Sequence, residues 1–432
     1  MENSVGIGLL GMGVVGGGVA QVIGGKSDEL AKMIGAPPML HGALVRDMTK
    51  PRAANLHADS LTTRADDIIE HPAVNIVVEV MGGEQPALDY ILKSISLGKH
   101  VVTANKEVMA KHGADILTQA REQGVQVLFE ASVAGGTPII APLLRDLVAN
   151  EVVSVNGIIN GTTNYILTKM AQEGQDFAVA LADAQALGYA ESDPTNDIEG
   201  IDAAYKLAIL STLAFRASVS DADVYSEGIT HLTAQDFRYA RELGYAIKLL
   251  AIADKANGAV NVRVHPAMVP EDVMLAKVDG VLNAIEVQTD LAGRVLFHGR
   301  GAGDMPTTSA VLADVVHIAR NVVRGVDAPP LPMLNADVRV SPISALETKY
   351  YMRLNVEERP GVFAQILKVL GDLDISIASA IQKETDDAAR RAEIVLMTHR
   401  AKEKSVQTAL KAIGKLEVVN EIGSLIRVEE WD

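Results

Sequence analysis

The chain has 432 residues, too many for one ordinary core, so two or three domains are expected. Hydrophobic residues make up 48% and charged residues 22%, the balance of a globular protein. A formal charge of −16 repels polyphosphate and argues against a nucleic-acid partner, and the lack of any cysteine removes thiol chemistry.

The N-terminal Met1-Glu2-Asn3-Ser4 carries no basic region, and glycines from Gly6 to Gly18 break the apolar run behind it. That suits neither a signal peptide nor a membrane span, so a soluble cytoplasmic protein without a membrane partner is the expectation. Short apolar runs then alternate with helical stretches to about Val127. Strands are predicted at Val5–Leu10, Met39–Val45, Ile76–Val80, His100–Thr103 and Val125–Phe129, with helices such as Ala87–Leu97 and Glu107–Gln123 between them. This order predicts an α/β fold, a Rossmann-type doubly wound parallel sheet over residues 1–130.

The alternation breaks at Ala131–Pro138. A helix near Ile139–Ala149, a strand Val152–Ile158 and several helices to about Ala253 are predicted, then strands near Val260–Val264, Ala284–Thr289 and Arg294–Phe297. Residues 131–325 thus read as a central α+β domain for substrate binding and dimerisation. Asp327-Ala328-Pro329-Pro330-Leu331-Pro332 marks a linker over 326–348. Residues 349–432 repeat a βαββαβ order, the ferredoxin-like plait: strands Tyr350–Val356, Ile375–Ile381, Ala392–Thr398 and Leu416–Val428, with helices Val362–Leu370 and Lys402–Ile413.

Gly11-Met12-Gly13-Val14-Val15-Gly16 follows the first strand and opens a helix. Gly11 permits a tight turn, Gly13 lets a pyrophosphate approach the backbone, and Gly16 lets the helix pack on the strand. The helix N-terminus offers free N–H groups to phosphate. At the end of the second strand, Arg46 suits a 2′-phosphate, whereas Asp47 beside it would suit a ribose hydroxyl, so the cofactor is NADP or NAD with a lean to NADP. Topology brings the strand ends at Met81-Gly82-Gly83 and Thr103-Ala104-Asn105-Lys106 to the carboxyl edge of the sheet, making Lys106 the first cation near the reacting carbon. A lysine at a helix start opposes the helix dipole, which favours a functional role over a solvated one.

The chemical signal lies in Gly188-Tyr189-Ala190-Glu191-Ser192-Asp193-Pro194 and in Asp197 through Leu207. Asp193 and Pro194 predict a capped helix start, with the helix running to about Ala214. Asp202 and Lys206, four apart, share one face of it. On a surface such a pair contributes only about 0.3–0.5 kcal/mol. The surrounding helix is apolar on every side and so predicted buried, and a buried Asp–Lys pair is costly to desolvate. Hydride addition to an aldehyde builds negative charge on oxygen, which the ammonium can stabilise and protonate while Asp202 orients it. Glu191, on the loop before the helix, could hold a substrate ammonium.

These residues resemble homoserine dehydrogenase over nearly the whole chain. Four motifs carry the resemblance: Gly11–Gly16, Thr103–Lys106, Asn160-Gly161-Thr162-Thr163-Asn164-Tyr165-Ile166-Leu167, and Gly188 through Lys206. It implies NAD(P)-linked interconversion of L-aspartate 4-semialdehyde and L-homoserine, on the route to threonine, isoleucine and methionine. It also implies Lys206 as proton donor, Lys106 as a second catalytic lysine, Glu191, Asp202 and Asp197 as positioning carboxylates, and Gly188 at the substrate pocket. Gly11, Gly13, Val14, Val15, Gly16, Arg46, Thr103, Lys106 and Gly303 would line the cofactor. Glu130, Val133, Gly135 and Thr137 match a monovalent-cation site (Na+ or K+).

The tail resembles an ACT domain, with Glu358-Arg359-Pro360-Gly361-Val362 in its ligand-binding turn. This implies an amino-acid effector such as threonine and a homodimer or homotetramer. Aspartate-semialdehyde dehydrogenase is excluded, because it needs a thiol nucleophile. A non-catalytic amino-acid sensor that binds a dinucleotide is the alternative.

Overall fold

A computed structural model describes residues 4–50, 60–256, 258–327, 334, 338–386 and 390–431. The expected Pro-rich linker, Asp327–Pro332, lies outside the described residues beyond Asp327. The chain divides into two compact units. One comprises Met1–Val155, Tyr205–Val224 and Asn283–Arg339; the other comprises Asn156–Ala204, Tyr225–Leu282 and Val340–Asp432. The expected boundary at 130/131 thus falls inside the first unit.

The first unit is built on a six-stranded parallel sheet: β1 (Val5–Leu10), β2 (Pro38–Leu44), β3 (Leu61–Thr62), β4 (Ile76–Glu79), β5 (His100–Thr103) and β6 (Val127–Leu128), in the spatial order β3-β2-β1-β4-β5-β6. This is the doubly wound nucleotide-binding order, which opens a crevice at the carboxyl edge where the order reverses beside β1. Every residue of β1 is buried, as expected for a parallel strand covered on both faces. The core here joins β1 and β4 to the helices Val14–Gly25, Ser27–Ile34 and Asp304–Arg324, the last through Val311, Val315 and Ile318. The chain therefore returns, nearly two hundred residues after β6, to cover its first sheet.

The predicted helix Ile139–Ala149 is not formed as such. A single wide turn, Pro142–Asp146, takes its place. The Glu130 carboxylate accepts from the backbone N–H groups of Ile139 (2.7 Å), Ile140 (3.0 Å) and Ala141 (2.6 Å), using up the donors that open this segment.

In the second unit, six strands lie side by side in the order Tyr245–Ala256, Ala259–Pro270, Val419–Val428, Glu347–Glu357, Arg391–Thr398 and Ile377–Asp386. The first two form a long antiparallel hairpin, Tyr245 opposite Pro270 and Ala256 opposite Ala259. Helices predicted to continue to about Ala253 therefore end at Glu242, because Tyr245–Ala253 is strand. The last four strands, with the helices Val362–Gly371 and Glu403–Ile413, are the expected plait around Tyr350, Ile366, Leu396 and Val406. That plait continues the sheet: Val419–Val428 pairs with Glu347–Glu357 on one side and runs parallel to Ala259–Pro270 on the other.

Candidate active site

At the carboxyl edge of the first sheet, Gly11 adopts φ +107, outside the range open to most side chains, and its N–H donates to the Leu44 carbonyl at 3.2 Å. Gly13 caps the helix Val14–Gly25 without any side-chain hydrogen bond, and a Cβ there would meet nothing within 4 Å. A Cβ on Gly16 would fall 2.1 Å from the Gly11 carbonyl oxygen. The turn is thus closed by Gly11 and Gly16 and open at Gly13. An open helix N-terminus with unclaimed N–H groups fits a pyrophosphate. Val14 is 62% exposed at its mouth, while Val15 packs into the core.

Arg46 is exposed just beyond β2. Its neighbour Asp47 turns its carboxylate back onto Thr49, accepting from the backbone N–H at 2.8 Å and from the hydroxyl at 2.7 Å. The acidic side chain is therefore engaged in its own turn. Gly303, with φ +126, precedes the helix Asp304–Arg324 whose core face packs on the same unit.

Thr103 ends β5 in register with Glu79 at the end of β4, and its hydroxyl donates to the Glu79 carboxylate at 2.6 Å. Glu79 is fully buried and also accepts from the Met81 N–H at 2.7 Å; desolvation pushes its carboxyl above the usual range, against these hydrogen bonds. Glu79 belongs to none of the four motifs; its one signal in the sequence is an acid inside the apolar run Ile76–Val80. Asn105 donates to the Gly83 carbonyl at 2.7 Å and caps the helix Lys106–Glu122 by accepting from Val108 N–H. The two strand-end loops are locked together, and Lys106 starts the helix between them.

Five residues further along, the Lys111 ammonium lies 5.8 Å from the centre of the Tyr205 ring. Tyr205 is the neighbour of Lys206, so this one contact links the helix bearing Lys106 to the helix bearing Lys206.

The segment expected as one helix from Pro194 to Ala214 is two, Thr195–Ile198 and Ile201–Phe215. Gly200 separates them at φ +79, a conformation that breaks the helix and presents Asp197 and Asp202 on either side of the bend. Asp202 is 2% exposed and Lys206, one turn on, 9%. Asn160 of the Asn160–Leu167 motif ties the acids together. Its side-chain amide donates to Asp197 at 2.6 Å and to Asp202 at 2.8 Å, while its oxygen caps the helix Gly161–Glu173 on Thr163 N–H at 2.9 Å. The structure thus brings Asp197 and Asp202 to one point. Glu191 is exposed in the preceding loop, and among the described residues no hydrogen bond joins its carboxylate to that point. The loop is anchored instead by Thr162, whose hydroxyl donates to the Tyr189 carbonyl at 2.6 Å, next to Gly188.

Glu130, Val133, Gly135 and Thr137 are all buried in one irregular turn, with Ala134 and Gly135 at positive φ. Glu130 spends its carboxylate on three N–H groups. Among the described residues no three His, Cys, Asp or Glu gather as a metal site. Neutral backbone and hydroxyl oxygens are what this turn can offer, a donor set suited to a weakly charged cation. Nor is any described helix long and apolar enough to cross a membrane.

A glycine turn at the edge of a doubly wound sheet, with a lysine at the start of the helix after the fifth strand, marks a dinucleotide-binding protein of the NAD(P)-dependent class. Comparison with known proteins narrows this. Family models described as "Homoserine dehydrogenase, NAD binding domain", "Homoserine dehydrogenase" and "ACT domain" match residues 11–130, 138–316 and 350–418. The chain is 42% identical to homoserine dehydrogenase of Neisseria gonorrhoeae over 98% of each chain. A crystal structure of a homoserine dehydrogenase from Thiobacillus denitrificans superposes with a TM-score of 0.92, at 43% identity and covering all of both chains. A hyperthermophilic archaeal homoserine dehydrogenase in complex with NADPH, 26% identical, gives a TM-score of 0.63 over 76% of this chain and 99% of the other.

The chain belongs to the homoserine dehydrogenase family. The resemblance drawn from four motifs holds along its whole length, and the non-catalytic sensor is not favoured. Its place is in amino-acid biosynthesis, with an ACT domain at its C-terminal end.

Proposed function

We propose that Lys206 is the acid–base group in the interconversion of L-homoserine and L-aspartate 4-semialdehyde, with Lys106 as a second cation at the reacting end. One observation carries this reading: Asp202 and Lys206 lie one turn apart on the same helix, both buried, with Asp202 held by Asn160. Burying an acid and an amine one turn apart is expensive, and the acid is fixed in place by Asn160.

The nicotinamide, when bound, supplies the hydride. As negative charge builds on the carbonyl oxygen, the Lys206 ammonium stabilises it and delivers a proton to that oxygen; in the reverse direction the amine takes the proton from the alcohol. Asp202 orients the ammonium. Glu191, whose carboxylate reaches into solvent, receives the substrate α-ammonium, with Gly188 and Asp197 shaping the pocket beside it. Gly11, Gly13, Val14, Val15, Gly16, Thr103 and Gly303 cradle the dinucleotide. NADP is favoured over NAD, because Arg46 is exposed where a 2′-phosphate would sit and Asp47 is engaged with Thr49.

Three further assignments belong to the same reading. A Na+ or K+ ion rests on oxygens of Glu130, Val133, Gly135 and Thr137. Threonine binds the ACT domain at Glu358–Val362 and lowers activity. The enzyme works in the cytoplasm as a homodimer or homotetramer.

The test is homoserine-dependent NADP reduction by the purified protein and by Lys206→Ala. The variant is expected to lose turnover by about a thousandfold, the scale of acid–base catalysis, with NADPH binding within twofold of the parent. Turnover above a tenth of the parent's removes Lys206 from the role.

A further inference from the structure

Among the described residues Arg427 is the largest fully buried side chain, and it stands where the C-terminal plait joins the rest of its sheet. On the strand Val419–Val428 it pairs with Tyr350 on one side and Ala267 on the other. Its guanidinium is shared. Toward the plait it donates to both oxygens of Glu403, at 2.8 and 2.9 Å; in the other direction it donates to Glu227 at 2.7 Å and to the Tyr225 hydroxyl at 3.3 Å. Tyr225 in turn donates to Glu227 at 3.0 Å, and the guanidinium lies 5.1 Å from the centre of its ring.

What Glu227 sits in is the support of the acidic bend. Its own N–H donates to the Val264 carbonyl at 2.8 Å. The Ser226 hydroxyl donates to the Glu199 carbonyl at 2.9 Å, and Ile229 N–H to the Ile198 carbonyl at 2.9 Å. Gly228 lies so close that a Cβ would fall 2.4 Å from the Ile198 oxygen. Residues 226–229 therefore hold residues 198–200, the bend between Asp197 and Asp202, the two acids clamped by Asn160.

At the other end of the relay, Glu403 is the first residue of the helix Glu403–Ile413. That helix packs on Val362–Gly371, which begins at the turn Arg359-Pro360-Gly361. Every residue of this route belongs to the second unit. A continuous run of contacts therefore leads from the helix beginning at Val362, through Glu403 and Arg427, to Glu227.

We propose that Glu227 is a positioning residue for substrate binding, held by Arg427, and that this pair is the link through which the C-terminal domain alters the affinity for homoserine. It rests on the reading above for the identity of the acidic site, and its test separates the two. Contact along a route is not in itself coupling, so the experiment must show both ends responding to the middle.

Full-length Glu227→Gln and Tyr225→Phe are assayed for kcat, KM for homoserine and KM for NADP, with and without L-threonine, and L-threonine binding is followed by calorimetry. Glu227→Gln keeps the shape and a hydrogen-bond acceptor but removes the charge that draws Arg427; Tyr225→Phe removes only the bridging hydroxyl. The expected result is a rise of about tenfold in KM for homoserine in Glu227→Gln and a smaller rise in Tyr225→Phe. KM for NADP should stay within twofold, and inhibition by L-threonine should weaken at least fivefold while its binding persists. An unchanged KM for homoserine in both variants overturns the proposal. So does a parallel loss in kcat and both KM values, which would mark a merely structural pair, and so does intact L-threonine inhibition alongside a raised KM. If L-threonine neither binds nor inhibits the parent protein, the effector assignment fails and the link to it with it.

Discussion

Replacing Arg353 with Met strips a buried cation from between two buried acids, and the cost can be worked from its contacts. Arg353 Nε donates to Asp236 at 2.8 Å, Nη1 to Glu393 at 2.9 Å, and Nη2 to Thr233 at 3.0 Å and to the second Asp236 oxygen at 3.3 Å. Asp236 is 0% and Glu393 7% exposed. Desolvation raises the Asp236 pKa, but Arg353 and the other donors outweigh it and hold the carboxyl below its usual value. Removing one partner of such a pair costs about 3–5 kcal/mol, because the other charge is left buried and unpaired. Asp236 keeps neutral donors in Thr233 and Ser424, and Glu393 keeps the Tyr239 hydroxyl, so the lower half of that range applies.

The pH dependence has a definite sign. In the parent, a depressed folded pKa means Asp236 contributes stability above the unfolded value of 3.8, lost as pH falls through the folded value. In Arg353→Met the stranded acids shift upward, so the variant folds best when they are protonated. The gap between parent and variant should therefore be widest at pH 7–8 and narrow toward pH 5. Urea unfolding followed through Trp431, the sole tryptophan, reports on this unit, since it stands three residues beyond the strand bearing Ser424. A loss below about 1 kcal/mol at pH 7.5, or a gap that widens on acidification, refutes the argument.

Two further outcomes are expected. Arg46→Ala should raise KM for NADPH about tenfold and leave KM for NADH within twofold; equal effects on both would show that Arg46 does not face the 2′ position. Thr103→Val leaves the Glu79 carboxylate without one buried donor and should lower stability by about 1–3 kcal/mol in thermal unfolding; a change within a few tenths of a kcal/mol would mean that the hydrogen bond is replaced by solvent.

How much of this was legible before the structure depended on the range of the interactions involved. Val5–Leu10 and His100–Thr103 were read to the residue, since strands buried on both faces are continuous apolar runs closed by glycine or a helix cap. The same property misled at Tyr245–Ala253. A fully buried strand has no alternation to distinguish it from a buried helix, and only its hairpin partner Ala259–Pro270 decides. Asp202 and Lys206 were visible as a pair four apart. The bend between Asp197 and Asp202 was not, because what leaves no room for a Cβ at Gly200 is Ser226 and Val264, far along the chain.

The largest gap concerns the tail. Arg263, Arg353 and Arg427 stand in strands where alternation would count them as outward-facing, yet each is buried against acids: Asp254 and Glu429, Asp236 and Glu393, Glu227 and Glu403. Nothing in the local pattern signals this, since Asp236 and Arg353 are 117 residues apart and Glu227 and Arg427 are 200. Guanidinium groups at such positions are costly to bury singly and specify one docking of the plait on the strands before it, because any slip would strand several charges at once. An effector bound to a domain fixed in this way need not swing it on a tether. Under the proposed link, a small movement at Glu403 is passed to Glu227 because both acids share the Arg427 guanidinium.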